Sequence, residues 1–552
     1  MALWDLIRDE AGEKGRGLLV SASLAGAANA LGIALINEAA ASSSQDDKLR
    51  LFVVIALCVA LYIVCSRRTY HRITTLIEEA LKKIKLRIID KIDRAELQAL
   101  EGLGTSEIYD RITENVSVVS DSAAMIANLL QSVCIVACAG LYILSLSPAA
   151  FVLLILLTGV GMMLYFSRSA EIGAHLRNAA TKRITFFDQL TDMLRGFKEL
   201  RFSRRRSRDV REDIAGTTEE LRSVTVEANN LFNDNMVFVQ CVLFALLSAM
   251  VFVLPQHVEL DNSKVITIVG AVLFFWAPLG GVVGGMPAYT RSNMALTHIA
   301  ELEEKLARAS RGAVSPQEVV DPWGGRFSRI ELKDVSFVYA ADGGGHSFAI
   351  GPIDLSIHPG EVVFVVGGNG SGKSTFMKVL TGLYPATGGA VRMDGTAVRP
   401  ENAAAYREMF SVIFSDFHLF SRLYGLLDVD EQVVLGLLRQ MRIDDNTSYA
   451  GTRFTRRDLS TGQRKRLAMI VALLEDRPIC VFDEWAADQD PEFRRYFYEE
   501  IIPSLKRRGK TIVAVTHDDR YFHCADRVVT LDYGKVRSDQ HTAARPEAPA
   551  AG

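Results

Sequence analysis

Several of the usual holdfasts are scarce in this sequence. Only seven cysteines occur among 552 residues, and none stand at metal-ligand or disulfide spacing. Cys58, Cys65, Cys134, Cys138 and Cys241 lie in apolar runs, and Cys480 and Cys524 in a more polar half. All seven therefore read as reduced, structural residues rather than a zinc cluster or a disulfide framework. Charge of one sign is also lacking: 62 Lys and Arg oppose 65 Asp and Glu, a net −3. So weak a field gives nucleic acid no reason to bind. Nor is there a cleavable leader pattern, because acids are interspersed through the first residues and no small-residue cleavage site follows. About seventeen residues precede the first apolar run, so no processing domain is expected ahead of it.

What is present is segregated. Hydrophobic residues make up 49% and charged residues 23%, a mixture that implies apolar spans in one region and a soluble domain in another. Six apolar runs, at residues 18–41, 49–65, 122–146, 149–166, 236–254 and 265–286, each approach the ~20 residues needed to cross a bilayer. Short links, such as Ser145-Leu146-Ser147-Pro148, alternate with two long polar segments at 67–121 and 167–235. The long segments carry the Lys and Arg excess, so they and both termini are expected on the cytoplasmic side. Each long segment is expected to run beyond the membrane as a helix, turn and return. The basic cluster at 201–211 fits a solvated, positive-inside surface as well as it fits a specific contact.

Finer expectations follow along the chain. Trp4, Leu6 and Ile7 among Asp5, Arg8 and Asp9 suit a short interfacial helix. The sixth run contains Pro278, Gly280, Gly281, Gly284 and Gly285, and a bend or loosening is expected there. Asn29, Asn128, Gln131 and Gln240 are polar groups inside apolar runs, suited either to a cavity wall or to hydrogen bonds between helices. The transmembrane domain is placed at 1–306, a linker at 307–326, a soluble α/β domain at 327–537 and a disordered Ala/Pro-rich tail at 538–552.

The most specific stretch is Gly367-Gly368-Asn369-Gly370-Ser371-Gly372-Lys373-Ser374-Thr375. It follows the apolar run Val362-Val363-Phe364-Val365-Val366 and precedes a helical pattern, the setting of a phosphate-binding loop. Glycines let the backbone turn its N–H groups towards phosphate oxygens, and the helix N-terminus adds positive potential. Lys373 is expected to reach the β- and γ-phosphates, and the Ser374 hydroxyl to ligate Mg²⁺. About a hundred residues later, Arg477-Pro478-Ile479-Cys480-Val481-Phe482 ends in Asp483 and Glu484. A strand so placed delivers an Asp to the Mg²⁺ shell, and Glu484 is set to polarise the attacking water. Outside this half no nucleophile–base pair stands out.

Between these motifs lies Leu459-Ser460-Thr461-Gly462-Gln463, ahead of a helical run at 464–474. Here the chain resembles the ATP-binding cassette family, whose signature is LSGGQ, with Thr461 in place of one glycine. The resemblance implies that Ser460, Thr461, Gly462 and Gln463 contact the γ-phosphate held by an opposite subunit. It makes His517 the switch histidine, Asp490 the acidic residue of the D-loop, and Tyr339 in Val335-Ser336-Phe337-Val338-Tyr339 the aromatic that stacks on adenine. Six spans followed by one cassette resemble an exporter half-transporter: an all-α six-helix transmembrane domain with long cytoplasmic helices, then an α/β phosphate-loop nucleotide-binding domain. One cassette implies a dimer, by default a symmetric homodimer.

Two departures sharpen the resemblance. In Phe414-Ser415-Asp416-Phe417-His418-Leu419-Phe420, Ser415 stands where the family carries a Gln near Mg²⁺, with Asp416 beside it as a stand-in. Only about forty residues separate it from the signature, so the helical subdomain is expected to be trimmed. With the stretches at 482–490 and 516–521, these traits resemble the cyclic-peptide exporter subfamily, which includes exporters of pyoverdine-type siderophore precursors and syringomycin-type lipopeptides. That resemblance implies ATP-driven export of a peptide-like cargo across the inner membrane by alternating access. The cofactors are ATP and Mg²⁺. The partners are a second copy of the chain, membrane lipid, the cargo and a periplasmic or outer-membrane acceptor. The competing readings are a siderophore importer with the exporter fold and a lipid flippase or regulatory ATPase. Residues 99–107 and 202–209 are the expected contacts between the long cytoplasmic helices and the cassettes.

Overall fold

In the computed structural model, which describes residues 3–41, 45–310, 320–339 and 348–542, the apolar runs lie on long helices. These are α1 (Leu3–Ala41), α2 (Gln45–Asp93), α3 (Leu97–Leu103), α4 (Thr105–Asp121), α5 (Ala123–Leu146), α6 (Pro148–Arg195), α7 (Phe197–Arg201), α8 (Arg204–Ser248), α9 (Leu254–His257) and α10 (Asn262–Ala309). A π-helical turn, Ala249–Val253, joins α8 to α9 just before Pro255, whose missing N–H disturbs the regular ladder. The described residues divide into two units, one of residues up to 87 with 109–302, the other of 88–108 with 303 onward.

In the first unit six helices are long and apolar enough to cross a membrane, by length and composition, and each contains one of the six expected runs. The most apolar window within Asp46–Asp93 has a mean hydropathy of 2.5, yet only 17% of it is buried. Phe52, Leu57 and Val64 face outward. Apolar surface left open on this scale calls for lipid as its solvent. Serine ends the short link between α5 and α6: the Ser147 hydroxyl accepts from the Ala150 N–H, and Pro148 occupies the first helical turn.

One local expectation changes, and two gain detail. The N-terminal segment is no separate interfacial helix, because α1 runs unbroken from Leu3 with no proline or cap to stop it. The Gly/Pro-rich sixth run stays helical throughout α10, with Pro278 and Pro287 inside it. Its glycines serve close packing: a Cβ at Gly285 would lie 2.8 Å from Leu129 Cβ, and one at Gly281 would collide with Ser132 Oγ. The polar groups divide. Gln131 donates to Ser66 Oγ at 2.7 Å and Tyr70 donates to Asn128 at 3.3 Å, so both amides bond between helices, whereas Asn29 is half-buried and Gln240 exposed.

The second unit is built on two sheets. An antiparallel sheet contains β1 (Ile330–Val338), β2 (Ala349–Ile357), β4 (Gly388–Met393) and β5 (Thr396–Ala397), in the order β2-β1-β4-β5. The larger sheet contains β3 (Val362–Val366), β6 (Phe410–Ile413), β9 (Ile479–Asp483), β10 (Thr511–Val515), β11 (Arg527–Asp532) and β12 (Lys535–His541), in the order β12-β11-β3-β10-β9-β6. All its pairings are parallel except that of β11 with β12. Both faces are covered, which is why its strands read as continuous apolar runs. Phe364, Phe482 and Ala514 belong to one core, and Val363, Val481 and Val513 to the other.

Between β6 and the signature lie only one regular helix, α13 (Glu431–Gln440), and the small β7–β8 hairpin (Tyr449–Ala450, Arg453–Phe454), so the helical subdomain is short, as expected. The tail needs correction: β12 carries order through His541, pinned by Arg527 Nη2 to Asp539 Oδ2 at 2.5 Å, and residues 543–552 lie outside the described ones. The helix before the linker also continues to Ala309, three residues past the expected boundary. Most of the linker, 311–319, lies outside the described residues.

Candidate nucleotide site

Every strand that feeds the site does so at its C-terminal end, where ligands of open parallel sheets bind. The loop after β3 leads into α11 (Lys373–Leu380) through Gly372, whose φ is +95° and whose absent Cβ leaves room for Ile350 Cγ2. Asn369, Gly370 and Ser374 are exposed on the rim, and Gly367 and Gly372 are half-buried. Lys373 is buried and donates to the Gly367 and Gly368 carbonyls at 3.1 and 3.0 Å. Ser371 is buried with its hydroxyl unpartnered, a donor facing no acceptor of the protein. A phosphate would supply that acceptor.

β9 ends in Asp483, 1% exposed, with neither carboxylate oxygen making a well-formed hydrogen bond. Burial pushes its carboxyl above the usual range and the Glu484 charge adds to this, while the nearby Ser374 hydroxyl and the Ser415 hydroxyl and N–H pull the other way. A buried, orphaned carboxylate beside a serine hydroxyl is the donor set a hard divalent cation takes. Ser415 therefore reaches Asp483 from the position of the missing Gln. Asp416 is exposed, and among the described residues it makes no hydrogen bond or ion pair.

Glu484 follows with φ +50°, a left-handed backbone that a non-glycine residue holds only under constraint. Its Oε1 lies 2.9 Å from His517 Nε2, so β9 and β10 bring the two expected catalytic side chains together. They open onto a cavity of about 340 Å³ shared with Ala486, Arg494, Thr516 and Asp518.

The signature begins α14 (Thr461–Glu475), three residues before the helical run expected from 464. Ser460 and Gln463 form a reciprocal capping box that fixes this start. Ser460 and Thr461 are exposed, and among the described residues no hydrogen bond or ion pair joins 459–463 to 367–375. Gly462 has no such freedom: a Cβ there would lie 2.6 Å from the Asp488 carbonyl oxygen. A side chain thus has room at the exposed Thr461 and none at Gly462.

Asp490 caps the next helix, α15 (Pro491–Tyr496), by accepting from the Phe493 N–H, and it pairs with Arg466 at 2.6 Å. These interactions outweigh burial and hold its carboxyl below the usual range. Tyr339 stands with its ring perpendicular to those of Phe337 and Tyr384, its hydroxyl 3.1 Å from Thr375 Oγ1. Burial drives the Cys480 thiol up to about 11, which agrees with an inert, structural role. None of the seven cysteines, all among the described residues, is joined in a disulfide.

Three residues were missed by sequence reasoning. Lys465, 3% exposed, donates to the Glu484 carbonyl and pairs with Asp488, both at 2.7 Å. Gln489 donates to the Gly462 carbonyl, and Arg466 ties Gln489 and Asp490 to α14. The run of three cations, Arg464-Lys465-Arg466, directly after the signature and ahead of an apolar stretch, was the available signal.

Comparison with known proteins agrees with this geometry. Residues 17–277 match the family described as ABC transporter transmembrane region, and 350–487 the family described as ABC transporter. ATP-binding protein SyrD of Pseudomonas syringae pv. syringae is 33% identical over 83% of this chain and 82% of its own length. An ATP-dependent lipid A-core flippase of Paraburkholderia xenovorans is 27% identical over 46% of each chain. A bacterial Atm1-family ABC exporter solved with ATP bound shares the fold, at a TM-score of 0.74 and 16% identity over 96% of this chain and 95% of its own. The chain belongs to the ATP-binding cassette transporter family, as a half-transporter of exporter type that hydrolyses ATP to drive transport.

Proposed function

We propose that this exporter moves a peptide-type cargo, cyclic or non-ribosomal and including siderophore precursors, across the inner membrane as a homodimer with cytoplasmic termini. The observation that carries the cargo class is the short segment between Ser415 and Leu459, reduced to α13 and one small hairpin, the trait by which the cassette resembles cyclic-peptide exporters. The likeness to SyrD over both halves of the chain supports one transporter type throughout. The exposed Ser460–Thr461 end of α14, unpaired with its own phosphate loop, supports a site completed by a second copy.

Within that site Lys373 and the loop N–H groups bind the phosphates of ATP. Ser374 and Asp483 would hold Mg²⁺, which would neutralise charge developing on the transferred phosphoryl group. Glu484 orients the water, and His517 holds Glu484 and the γ-phosphate in register. ATP draws the two cassettes together, hydrolysis releases them, and the long cytoplasmic helices carry the motion to the spans.

The test is ATP-dependent uptake of a labelled cyclic lipopeptide or siderophore-precursor peptide into inside-out vesicles containing the purified protein. Accumulation there and not in right-side-out vesicles supports export. Accumulation only in right-side-out vesicles overturns it in favour of import. A second reading, lipid flipping, is favoured by the match to the lipid A-core flippase. It prevails if labelled phospholipid is translocated and ATPase activity responds to lipid and to no peptide.

A further inference from the structure

α3 is seven residues long, lies between the second and third apolar helices in the chain, and yet belongs to the unit of the cassette. Leu97 packs against the core beneath the antiparallel sheet, and the Glu96 N–H donates to the Ala309 carbonyl. From this helix Glu101 projects its carboxylate onto two cassette groups at once. Oε1 accepts from Lys378 Nζ at 2.8 Å, and Oε2 accepts from the Tyr384 hydroxyl. Lys378 closes the triangle by donating to the Tyr384 hydroxyl at 3.2 Å, and its charge lies 5.0 Å from the centre of that ring.

Each corner of the triangle leads towards the phosphate loop. Lys378 sits on α11, one turn beyond Thr375 and on the same face. Tyr384, 1% exposed, stacks on Phe337 at 4.8 Å and meets Tyr339 edge-on at 5.9 Å. Tyr339 in turn reaches Thr375 Oγ1 with its hydroxyl. α11 is thus gripped twice from Glu101, directly at Lys378 and through two tyrosines at Thr375. Its first three residues are the Lys373-Ser374-Thr375 of the nucleotide site.

We propose that Glu101 is a positioning residue for ATP, which by holding Lys378 and the Tyr384–Tyr339–Thr375 chain sets the seat of the phosphate loop. Displacement of α3 then loosens ATP without touching the groups that cleave it. The two tyrosine hydroxyls act as structural links, so Tyr339 does more than offer a flat ring to the base. Burial, then the Glu101 carboxylate and the Tyr339 hydroxyl, raise the Tyr384 phenol well above its ordinary value, which keeps it a donor at every physiological pH. Burial works against the Glu101 carboxylate, but the hydrogen bonds from Lys378 and Tyr384 outweigh it and hold its pKa below the usual range, so it stays charged.

The test uses the full-length protein in lipid nanodiscs, with the dissociation constant for ATP and the kcat of ATP hydrolysis measured separately. E101Q and Y384F are each expected to weaken ATP binding about threefold to tenfold while kcat stays within about twofold, and Y339F is expected to weaken ATP binding to a similar extent. The double variant E101Q/Y384F is expected to be no weaker than the worse single, because both cut one chain. Tyr-to-Phe exchanges keep the rings, so unfolding temperatures close to the parent's separate a lost link from lost packing. If Y339F binds ATP like the parent while Y339A does not, the ring alone matters and the chain is refuted. Wild-type affinity in E101Q, additive defects in the double variant, or a fall in kcat at constant affinity would each overturn it as well.

Discussion

Lys465, sealed inside the signature helix, donates its ammonium to the backbone carbonyl of Glu484 at 2.7 Å. The helix that presents the signature is thereby bonded to the residue proposed to aim the water. Lys465 also pairs with Asp488, and the Trp485 indole donates back to the Lys465 carbonyl at 2.9 Å, so the Glu484 turn is closed from both sides. This bracing is the counterpart of its left-handed backbone, a conformation worth of order 1–3 kcal/mol if unsupported. K465M is expected to lower kcat of ATP hydrolysis about tenfold to a hundredfold with ATP affinity little changed, because its effect falls on water orientation. A K465M variant hydrolysing ATP at the parental rate would refute the bracing role.

E484Q preserves the backbone turn, a hydrogen-bond acceptor for His517 and the phosphate loop. It is expected to retain ATP binding and to lose nearly all turnover, about a hundredfold or more, since a neutral amide cannot polarise water as a carboxylate does. Trapping of labelled ATP without release of phosphate measures both halves of the statement. Unimpaired ATPase activity would remove Glu484 from the mechanism.

Asp483 carries a pH signature in the metal-free protein. Its folded pKa lies above the unfolded value, first through burial and then through Glu484, so folding favours the protonated form. The stability this gives is complete below the unfolded pKa and is lost as pH rises through the folded pKa. D483N removes the buried charge and is expected to raise the unfolding temperature near pH 8 more than near pH 5, by about 2–4 °C for each kcal/mol recovered. The same substitution should abolish Mg²⁺-stimulated ATPase activity. Equal unfolding shifts at the two pH values would show that the carboxylate is not strained as described.

The two middle signature residues are expected to behave oppositely. T461G restores the pattern common in the family at an exposed position and should leave ATPase activity within about twofold of the parent. G462A places a methyl group 2.6 Å from the Asp488 carbonyl, closer than atoms tolerate, and should push the D-loop away and cost activity about tenfold or more. Steady-state ATPase assays on the two purified variants decide it.

In the membrane unit, G285V should destabilise the protein by about 1–3 kcal/mol, because a side chain there would overlap Leu129 on α5. Thermal unfolding in detergent measures it. Unchanged stability would return the glycines of α10 to the bending role that the sequence suggests.

Legibility in the sequence followed the range of each interaction. The phosphate loop, the apolar strands and the six long helices are written in neighbouring residues and were readable. The start of α14 was missed by three residues, although Ser460 and Gln463 spell the capping box that sets it. A Gly-rich run looks the same in sequence whether it loosens a helix or admits a neighbour, and the packing role of Gly281 and Gly285 shows only through Ser132 and Leu129. Nothing local marks Lys465 as buried, because its burial depends on Asp488 and Trp485, which lie about twenty residues on. The grip of Glu101 on Lys378 joins residues 277 apart, beyond any periodicity.

That separation sets a clock on the making of the protein. A ribosome adding roughly 5–20 residues per second leaves Glu101 waiting about 15–55 s before Lys378 exists to receive it. During that interval the second span is already made and the later spans are added, while the short helix after the second span has no cassette surface to rest on. Assembly therefore includes a closing of old chain onto new, and a cassette that folds late or badly leaves finished membrane helices with α3 undocked.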